Sequence, residues 1–152
     1  MRKAILVTTL FMIATLCFVP LRYAQASDDK TTIQDVKQEA QDLISKIKGY
    51  TAEQHEEAIK QTEQALKKLD NRIEAVETDV YNSWDKMDKA ARDKSQTGLK
   101  ELRKQRIELA EWYGGLKNSS FNAWEELKKG FSDAYQVVVD TWAKIKSQYN
   151  WQ

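Results

Sequence analysis

Cysteine and proline are almost absent from the chain, and each absence excludes a class of structure. The 152 residues contain one cysteine, Cys17, and one proline, Pro20, both close to the N-terminus. Beyond Pro20 the chain has no thiol for a disulfide, a nucleophile or a metal ligand. It also lacks the residue that interrupts helices most strongly, at a cost of about 3 kcal/mol in a helix interior. We therefore expect long helices that are stabilised by packing rather than by cross-links.

Histidine and glycine are scarce as well, which removes most ways of building a catalytic or phosphate-binding site. His55 is the only histidine, and a metal site needs several ligands. Paired acids such as Glu56 and Glu57 are adjacent, so on a helix they point in different directions. The five glycines are scattered and form no phosphate-binding loop. We expect a non-enzymatic protein with no cofactor, no metal and no evident small-molecule substrate.

The N-terminus has the organisation of an export signal. Arg2 and Lys3 precede the uncharged run Ala4–Val19, and residues 24–26, Ala-Gln-Ala, fit a signal-peptidase site. The run is 16 residues long, which is short for a bilayer span of about 20 residues. Residues 1–26 are therefore predicted to be a cleaved signal peptide, with an uncleaved membrane anchor as the alternative. The protein is expected in the periplasm, with the extracellular space as the alternative.

Removal of residues 1–26 changes the charge balance of the chain. Arg2, Lys3 and Arg22 leave with them and no acidic residue does, so the net charge falls from +1 to −2. A chain so close to neutrality has no electrostatic attraction to nucleic acid. The expected partner is another protein or a second copy of this chain, with a membrane lipid surface as the alternative.

Apolar residues recur every three or four positions over Ile33–Tyr149, and this period predicts an all-α fold. Residues 27–50 are expected to contain a flexible start and a short helix that ends near Lys48. Thr51 and Gln54 have the spacing of a capping box, which marks the start of the next helix.

Two arrangements of residues 51–152 agree with this repeat. In the first, one long helix from about Thr51 to Lys117 folds back at Gly114–Ser120 and makes a long antiparallel helical hairpin, a coiled coil. The glycines and the asparagine of that turn suit a left-handed helix end. In the alternative, a break near Tyr81–Ser83 gives three arms of similar length, an up-down-up three-helix bundle. The repeat continues across that break, which favours the long helix.

The last helix differs from the others because its apolar face carries large aromatic side chains. These are Trp124, Phe131, Tyr135 and Trp142, followed near the C-terminus by Tyr149 and Trp151. The first four are expected to fill the core, since full burial of such a side chain is worth about 1.5–3 kcal/mol. Contact with a partner or with lipid headgroups is the alternative, because Trp and Tyr are common at membrane surfaces. Tyr149 and Trp151 are harder to bury, and we consider them candidates for a docking tail or a subunit contact.

Residues 108–131, ELAEWYGGLKNSSFNAWEELKKGF, resemble a group of small bacterial coiled-coil proteins that are labelled stress-response proteins. The similarity lies in a Leu-Lys pair, a serine and the run Ala-Trp-Glu-Glu-Leu-Lys-Lys-Gly at residues 123–130. It covers about the last third to half of the chain that follows residue 26. The resemblance implies a helical hairpin and a non-enzymatic role without catalytic residues. The expected function is to present helical surfaces to a partner, as an envelope stress-response or chaperone-like factor.

Overall fold

The computed structural model of the protein describes residues 31–148, which form four α-helices joined by short turns. The helices are α1 Ile33–Gly49, α2 His55–Ser83, α3 Lys89–Lys117 and α4 Trp124–Gln148. Within residues 31–148 there is no β-strand, so the predicted all-α class is confirmed. The predicted signal peptide at residues 1–26 lies outside the described residues, and so do Tyr149 and Trp151.

The four helices run alternately up and down, and α4 has the most extensive contacts with the others. Its contacts are most extensive with α3 and then with α1, and it runs antiparallel to both. Lys37, near the start of α1, lies 3.6 Å from Asp140 in the second half of α4. At the other end of α1, the carbonyl oxygen of Lys48 accepts a 3.0 Å hydrogen bond from Lys128 Nζ, near the start of α4. Residues 31–148 therefore form an up-down-up-down four-helix bundle.

The first helix begins and ends close to the predicted positions. At its start, the Thr32 N–H donates to Asp35 Oδ2 at 2.9 Å, and the Asp35 N–H donates to Thr32 Oγ1 at 3.1 Å. This reciprocal pair is a capping box, which satisfies N–H groups that have no partner inside the helix. The helix ends at Gly49, and the Thr51 N–H donates to Gln54 Oε1 at 3.1 Å, as the spacing predicts.

The continuous long helix that we favoured from Thr51 to Lys117 is wrong, because the structure interrupts it. The alternative with a break near Tyr81–Ser83 agrees with the structure. The second helix ends at Ser83, one 3₁₀ turn covers Trp84–Lys86, and the backbone at Met87 is extended. Asp88 then starts α3, because its side chain accepts a 2.7 Å hydrogen bond from the Ala91 N–H. The repeat continues through the break because Trp84 and Met87 still pack against the core. Because α1 packs together with the three predicted arms, the bundle has four helices rather than three.

The turn predicted at Gly114–Ser120 is shorter than expected. The third helix continues through both Gly114 and Gly115 to Lys117, and no glycine in residues 31–148 has a positive φ. Asn118 ends the helix instead, because its backbone N–H and its side-chain Nδ2 both donate to Gly114 O, at 3.2 and 2.8 Å. The left-handed glycine cap was therefore the wrong prediction. A Cβ atom on Gly115 would lie 2.9 Å from Leu127 Cδ2, whereas one on Gly114 would meet nothing within 4 Å.

The core follows the predicted repeat in all four helices. Its buried apolar residues are Val36, Ala40, Leu43 and Ile47 in α1, Ala58, Leu66, Leu69, Ile73, Val76 and Val80 in α2, Leu102, Leu109 and Leu116 in α3, and Trp124, Phe131, Tyr135, Val138, Val139, Trp142, Ala143 and Ile145 in α4. The buried leucines of α3 are seven residues apart, the spacing of a narrow helical seam. Because the long aliphatic stripe of α2 is covered within the chain, its burial does not require a second copy.

Replacement of Leu109 by alanine is expected to lower the free energy of unfolding by about 2–5 kcal/mol, because it leaves a cavity in a fully buried position. The matched control is Ile107→Ala on the same helix, where the side chain is 63% exposed and the expected change is within about 0.5 kcal/mol. Urea unfolding followed by circular dichroism measures both. Equal effects of the two substitutions would contradict the placement of α3.

Candidate functional site

The structure places the four aromatic residues predicted on the last helix in the core. Trp124, Phe131, Tyr135 and Trp142 are all buried. Trp124 Nε1 donates to Tyr50 O at 3.0 Å, and Trp142 Nε1 donates to Arg72 O at 3.1 Å. The rings thus fill space, and the indole N–H groups hold α4 to the α1–α2 connection and to α2. In this fold, contact of the Trp124, Phe131 or Trp142 ring with lipid or with a partner would require the helices to separate.

A buried lysine that the sequence pattern did not single out closes one end of the bundle. Lys128 Nζ donates to Lys48 O at 3.0 Å and to Tyr50 O at 2.7 Å, and it lies 2.9 Å from Glu125 Oε1. These three contacts satisfy the three N–H donors of the ammonium group. The charge lies at the C-terminus of α1, where a helix has unpaired carbonyl groups and a partial negative charge. Lys128 therefore has a structural role, as a cap contributed by another helix.

His55 lies at the same end of the bundle, in contact with backbone rather than with other ligand-forming groups. Its Nε2 is 2.9 Å from Leu116 O, and since a carbonyl oxygen only accepts, Nε2 carries the hydrogen and donates. The imidazole centroid is 5.1 Å from the Trp124 ring. In residues 31–148 no group of three or more His, Cys, Asp or Glu side chains has a geometry that would hold a metal ion. None of the four helices is long and apolar enough to cross a membrane.

Among the described aromatic residues, Tyr135 has the largest shift in pKa. Burial raises its pKa to about 12, and the Arg72 guanidinium opposes this rise. Arg72 is itself buried, and its Nη2 donates to Glu39 Oε2 at 2.8 Å. Together with Tyr135, side chains of α1 and α2 that include Glu39 line a polar groove of about 230 Å³. The phenol is thus held in its neutral form beside an ion pair that links α1 to α2.

Replacement of Tyr135 by phenylalanine is expected to reduce the loss of stability at alkaline pH. In the unfolded chain the hydroxyl ionises near pH 10.0, whereas in the folded chain it ionises near pH 12. The stability linked to the neutral phenol is therefore fully present below pH 10 and is lost as the pH rises toward about 12. Urea unfolding from about pH 9 to about pH 11.5 measures the difference.

The wild type should lose more stability over this range than Tyr135→Phe. The matched control is Tyr81→Phe, because Tyr81 is 81% exposed and its replacement should leave the wild-type pH dependence unchanged. Identical pH dependence in the wild type and in Tyr135→Phe would contradict the assignment.

A second groove, between α3 and α4, combines exposed apolar side chains with a floor of small residues. Its volume is about 420 Å³, and we call it the α3–α4 groove. Gly130 and Ala134 form its floor on α4, while Trp112 on α3 and Val137 on α4 border it. These two large side chains are 37% and 47% exposed, respectively. The groove therefore presents apolar surface that the fold leaves uncovered.

The shape of the α3–α4 groove depends on a glycine. A Cβ atom on Gly130 would lie 2.3 Å from Trp112 Cζ3, so the indole ring lies directly against the backbone of α4. Gly98 similarly faces Ile145, where a Cβ would come within 3.1 Å of Cγ1. Glycines at these positions let α3 and α4 approach closely, which explains their presence in helices despite a propensity cost of about 1 kcal/mol each.

The charged side chains of the α3–α4 groove are mainly acidic. They are Glu108 from α3 and Glu126, Lys129 and Asp133 from α4. Lys129 Nζ donates to Asp133 Oδ2 at 2.7 Å, and this hydrogen bond raises the pKa of Lys129. Lys104, which does not line the groove, lies 3.7 Å from Glu108 Oε1 at the surface. The lining residues thus have one internal ion pair and two further carboxylates.

The sequence pattern had signals for this groove that the prediction did not use. Trp112 is one position before Tyr113, the residue that fits the repeat, so a large aromatic side chain stands beside the predicted seam. Val137, Val138 and Val139 are consecutive, and adjacent residues on a helix point about 100° apart. The structure buries Val138 and Val139 and leaves Val137 at the surface.

Replacement of Gly130 by alanine is expected to push the Trp112 ring out of its position. Overpacking typically costs about 1–3 kcal/mol, and the better helix propensity of alanine returns up to about 1 kcal/mol. We expect the free energy of unfolding to fall by about 1–2 kcal/mol. We also expect stronger iodide quenching of Trp112 fluorescence, which is obtained by subtracting the signal of the corresponding Trp112→Phe variant. The control is Gly49→Ala, where a Cβ would meet nothing within 4 Å. Unchanged quenching in Gly130→Ala would show that the ring does not lie on Gly130.

No protein-family model, no curated protein and no solved structure matches this chain. The resemblance of residues 108–131 to stress-response coiled-coil proteins therefore stays a prediction.

Proposed function

We propose that the protein is an exported, non-enzymatic helical bundle that binds other protein chains in the α3–α4 groove. Its role would be that of a chaperone-like factor in an envelope stress response, most simply in the periplasm. The observation that carries the proposal is the pair of exposed side chains, Trp112 and Val137, which line the α3–α4 groove together with Ala134. No cofactor is needed for this function.

The chemistry of the groove supports a protein as the ligand. Tryptophan is enriched among the residues that contribute most to protein–protein binding, because it buries a large area with few rotatable bonds. A groove with a narrow apolar floor between two helices suits a helix or an extended chain that inserts apolar side chains. The charged residues that border the floor would keep the free protein soluble, since they surround its exposed apolar surface.

The predicted export signal supports the location. After residues 1–26 the chain has no cysteine, so a bundle held by packing alone would be indifferent to the redox state of an oxidising compartment. The stress-response resemblance of residues 108–131 supports the role, because that segment includes Trp112 and Gly130.

The proposal is tested by the aggregation of insulin after reduction of its disulfides, followed by light scattering. Dithiothreitol releases the aggregating insulin chain and leaves the protein unaffected, since no cysteine follows Cys17. We expect the protein to delay the rise in scattering. Substitution of Val137 by serine should weaken this protection by about threefold or more, because it removes exposed apolar surface from the groove.

The matched control is Tyr81→Ser, which also removes an exposed apolar side chain but lies at the α2–α3 end of the bundle. It should protect insulin as well as the wild type does. No protection by the wild type, or equal loss in both variants, would contradict the proposal. Flotation with neutral and anionic vesicles provides the other comparison: co-migration that Val137→Ser does not alter would indicate lipid-surface binding instead.

A further inference from the structure

We propose that the preferred ligand of the α3–α4 groove is a basic amphipathic segment of a partner protein, with arginine or lysine on one side of its apolar face. This inference rests on the proposed function and specifies the chemistry of the partner. The apolar side chains of the segment contact the exposed face of Trp112, together with Ala134 and Val137. Its cationic side chains face Glu108 and Glu126.

The positions of the apolar residues favour a helical ligand. Gly130 and Ala134 are four residues apart, so they lie one above the other on the same face of α4. Val137 continues that face by three residues. Because the Trp112 indole lies on Gly130, the apolar surface open to a ligand is the indole followed by Ala134 and Val137 along α4. An amphipathic helix with apolar residues at three- and four-residue intervals matches such a row.

The carboxylates of the groove favour a cationic ligand. Asp133 is paired with Lys129 at 2.7 Å, so this pair adds little net charge. Glu108 is four residues before Trp112 on α3, and Glu126 is four residues before Gly130 on α4. Because the Trp112 ring lies on Gly130 and the two helices are antiparallel, each carboxylate stands about one helical turn from this contact, in opposite directions along the groove.

Neither of these two carboxylates has a strong partner within the chain. Among the described residues Glu126 has no ion pair, and Glu108 has only its 3.7 Å contact with Lys104 at the surface. An arginine of a partner would find carboxylate oxygens and an indole face close together, and the guanidinium group binds to both.

The same charges disfavour two other ligands. Anionic lipid headgroups would meet Glu126, which has no ion pair among the described residues, and Glu108, which has only the 3.7 Å contact with Lys104. Membrane-surface proteins instead attract such headgroups with lysine and arginine. A second copy of this chain would offer its most basic stretch, residues 100–106. Both arginines of that stretch are engaged, since Arg103 Nε lies 2.6 Å from Glu77 Oε1 and Arg106 Nη2 donates to Asp70 Oδ2 at 2.8 Å.

The test uses two fluorescein-labelled synthetic peptides of about 18 residues, long enough for five helical turns. Both carry leucine at the same three- and four-residue intervals. The first has lysine and arginine at the remaining positions, and the second has glutamate and glutamine. Fluorescence anisotropy with the purified protein at low and at physiological salt gives the dissociation constants. We expect the basic peptide to bind at least about tenfold more tightly than the acidic one, with a difference that shrinks as salt is added.

Two double variants, each of which loses two negative charges, show whether the preference for the basic peptide arises in the groove. Glu108→Gln with Glu126→Gln should weaken binding of the basic peptide by about fivefold or more and leave the acidic peptide unaffected or improved. The matched control is Glu56→Gln with Glu74→Gln, two exposed positions on α2 outside the groove lining. It should bind like the wild type. Circular dichroism of each variant confirms that the helices are retained.

The other possible results distinguish a failure of this inference from a failure of the proposed function. If both peptides bind equally and Val137→Ser weakens both, the groove docks proteins, and the inference about charge is overturned. Binding that neither Val137→Ser nor the groove double variant changes overturns the inference and removes the groove from the proposed function. Absence of binding by either peptide overturns the inference, and the insulin experiment then decides on the proposed function alone. Self-association that Glu108→Gln with Glu126→Gln abolishes would identify a second copy as the ligand and overturn the inference as well.

Discussion

The contact of α4 with the other helices is the constraint on which the bundle depends. This helix contributes the largest side chains of the core, and its two buried indole N–H groups bind carbonyl oxygens outside α4. Its lysine at position 128 closes the end of α1, and its glycine at position 130 accepts the Trp112 ring of α3. The inward face of α4 thus sets the positions of its neighbours. Once those positions are set, its outer face and α3 enclose a groove.

The features that could be predicted from the sequence are those that follow from the burial of one face of each helix. The period of the apolar residues identified the all-α fold and most of the core, because a helix buries the same face at each turn. It favoured a continuous helix over the alternative break near Tyr81–Ser83, because Trp84 and Met87 keep the repeat while they pack against the core from non-helical backbone. The glycine pair at 114 and 115 was also misleading. Both glycines lie inside α3, and a glycine within a helix looks the same in a sequence as one that ends it.

The candidate surface was harder to predict than the core. Six aromatic residues were singled out, and the four that the structure describes are buried. The two exposed apolar residues that line the groove, Trp112 and Val137, lie beside the repeat rather than on it. Their proximity follows from the register between α3 and α4, which depends on where Gly130 meets Trp112. Register between two helices is a property of the packed structure, so it has no local signal in either helix.

The hydrogen bonds that fasten the first helix have a consequence for the order in which the protein is made. Lys48 and Tyr50 are bound by Lys128 across sequence separations of 80 and 78 residues. A chain grows from its N-terminus, so α1 is complete long before its main partner, α4, exists. Its apolar stripe has to stay uncovered, or be covered by something else, until the last helix emerges. Closure of the bundle therefore waits until α4 has been synthesised, and a nascent chain stopped before α4 lacks the largest side chains of the native core.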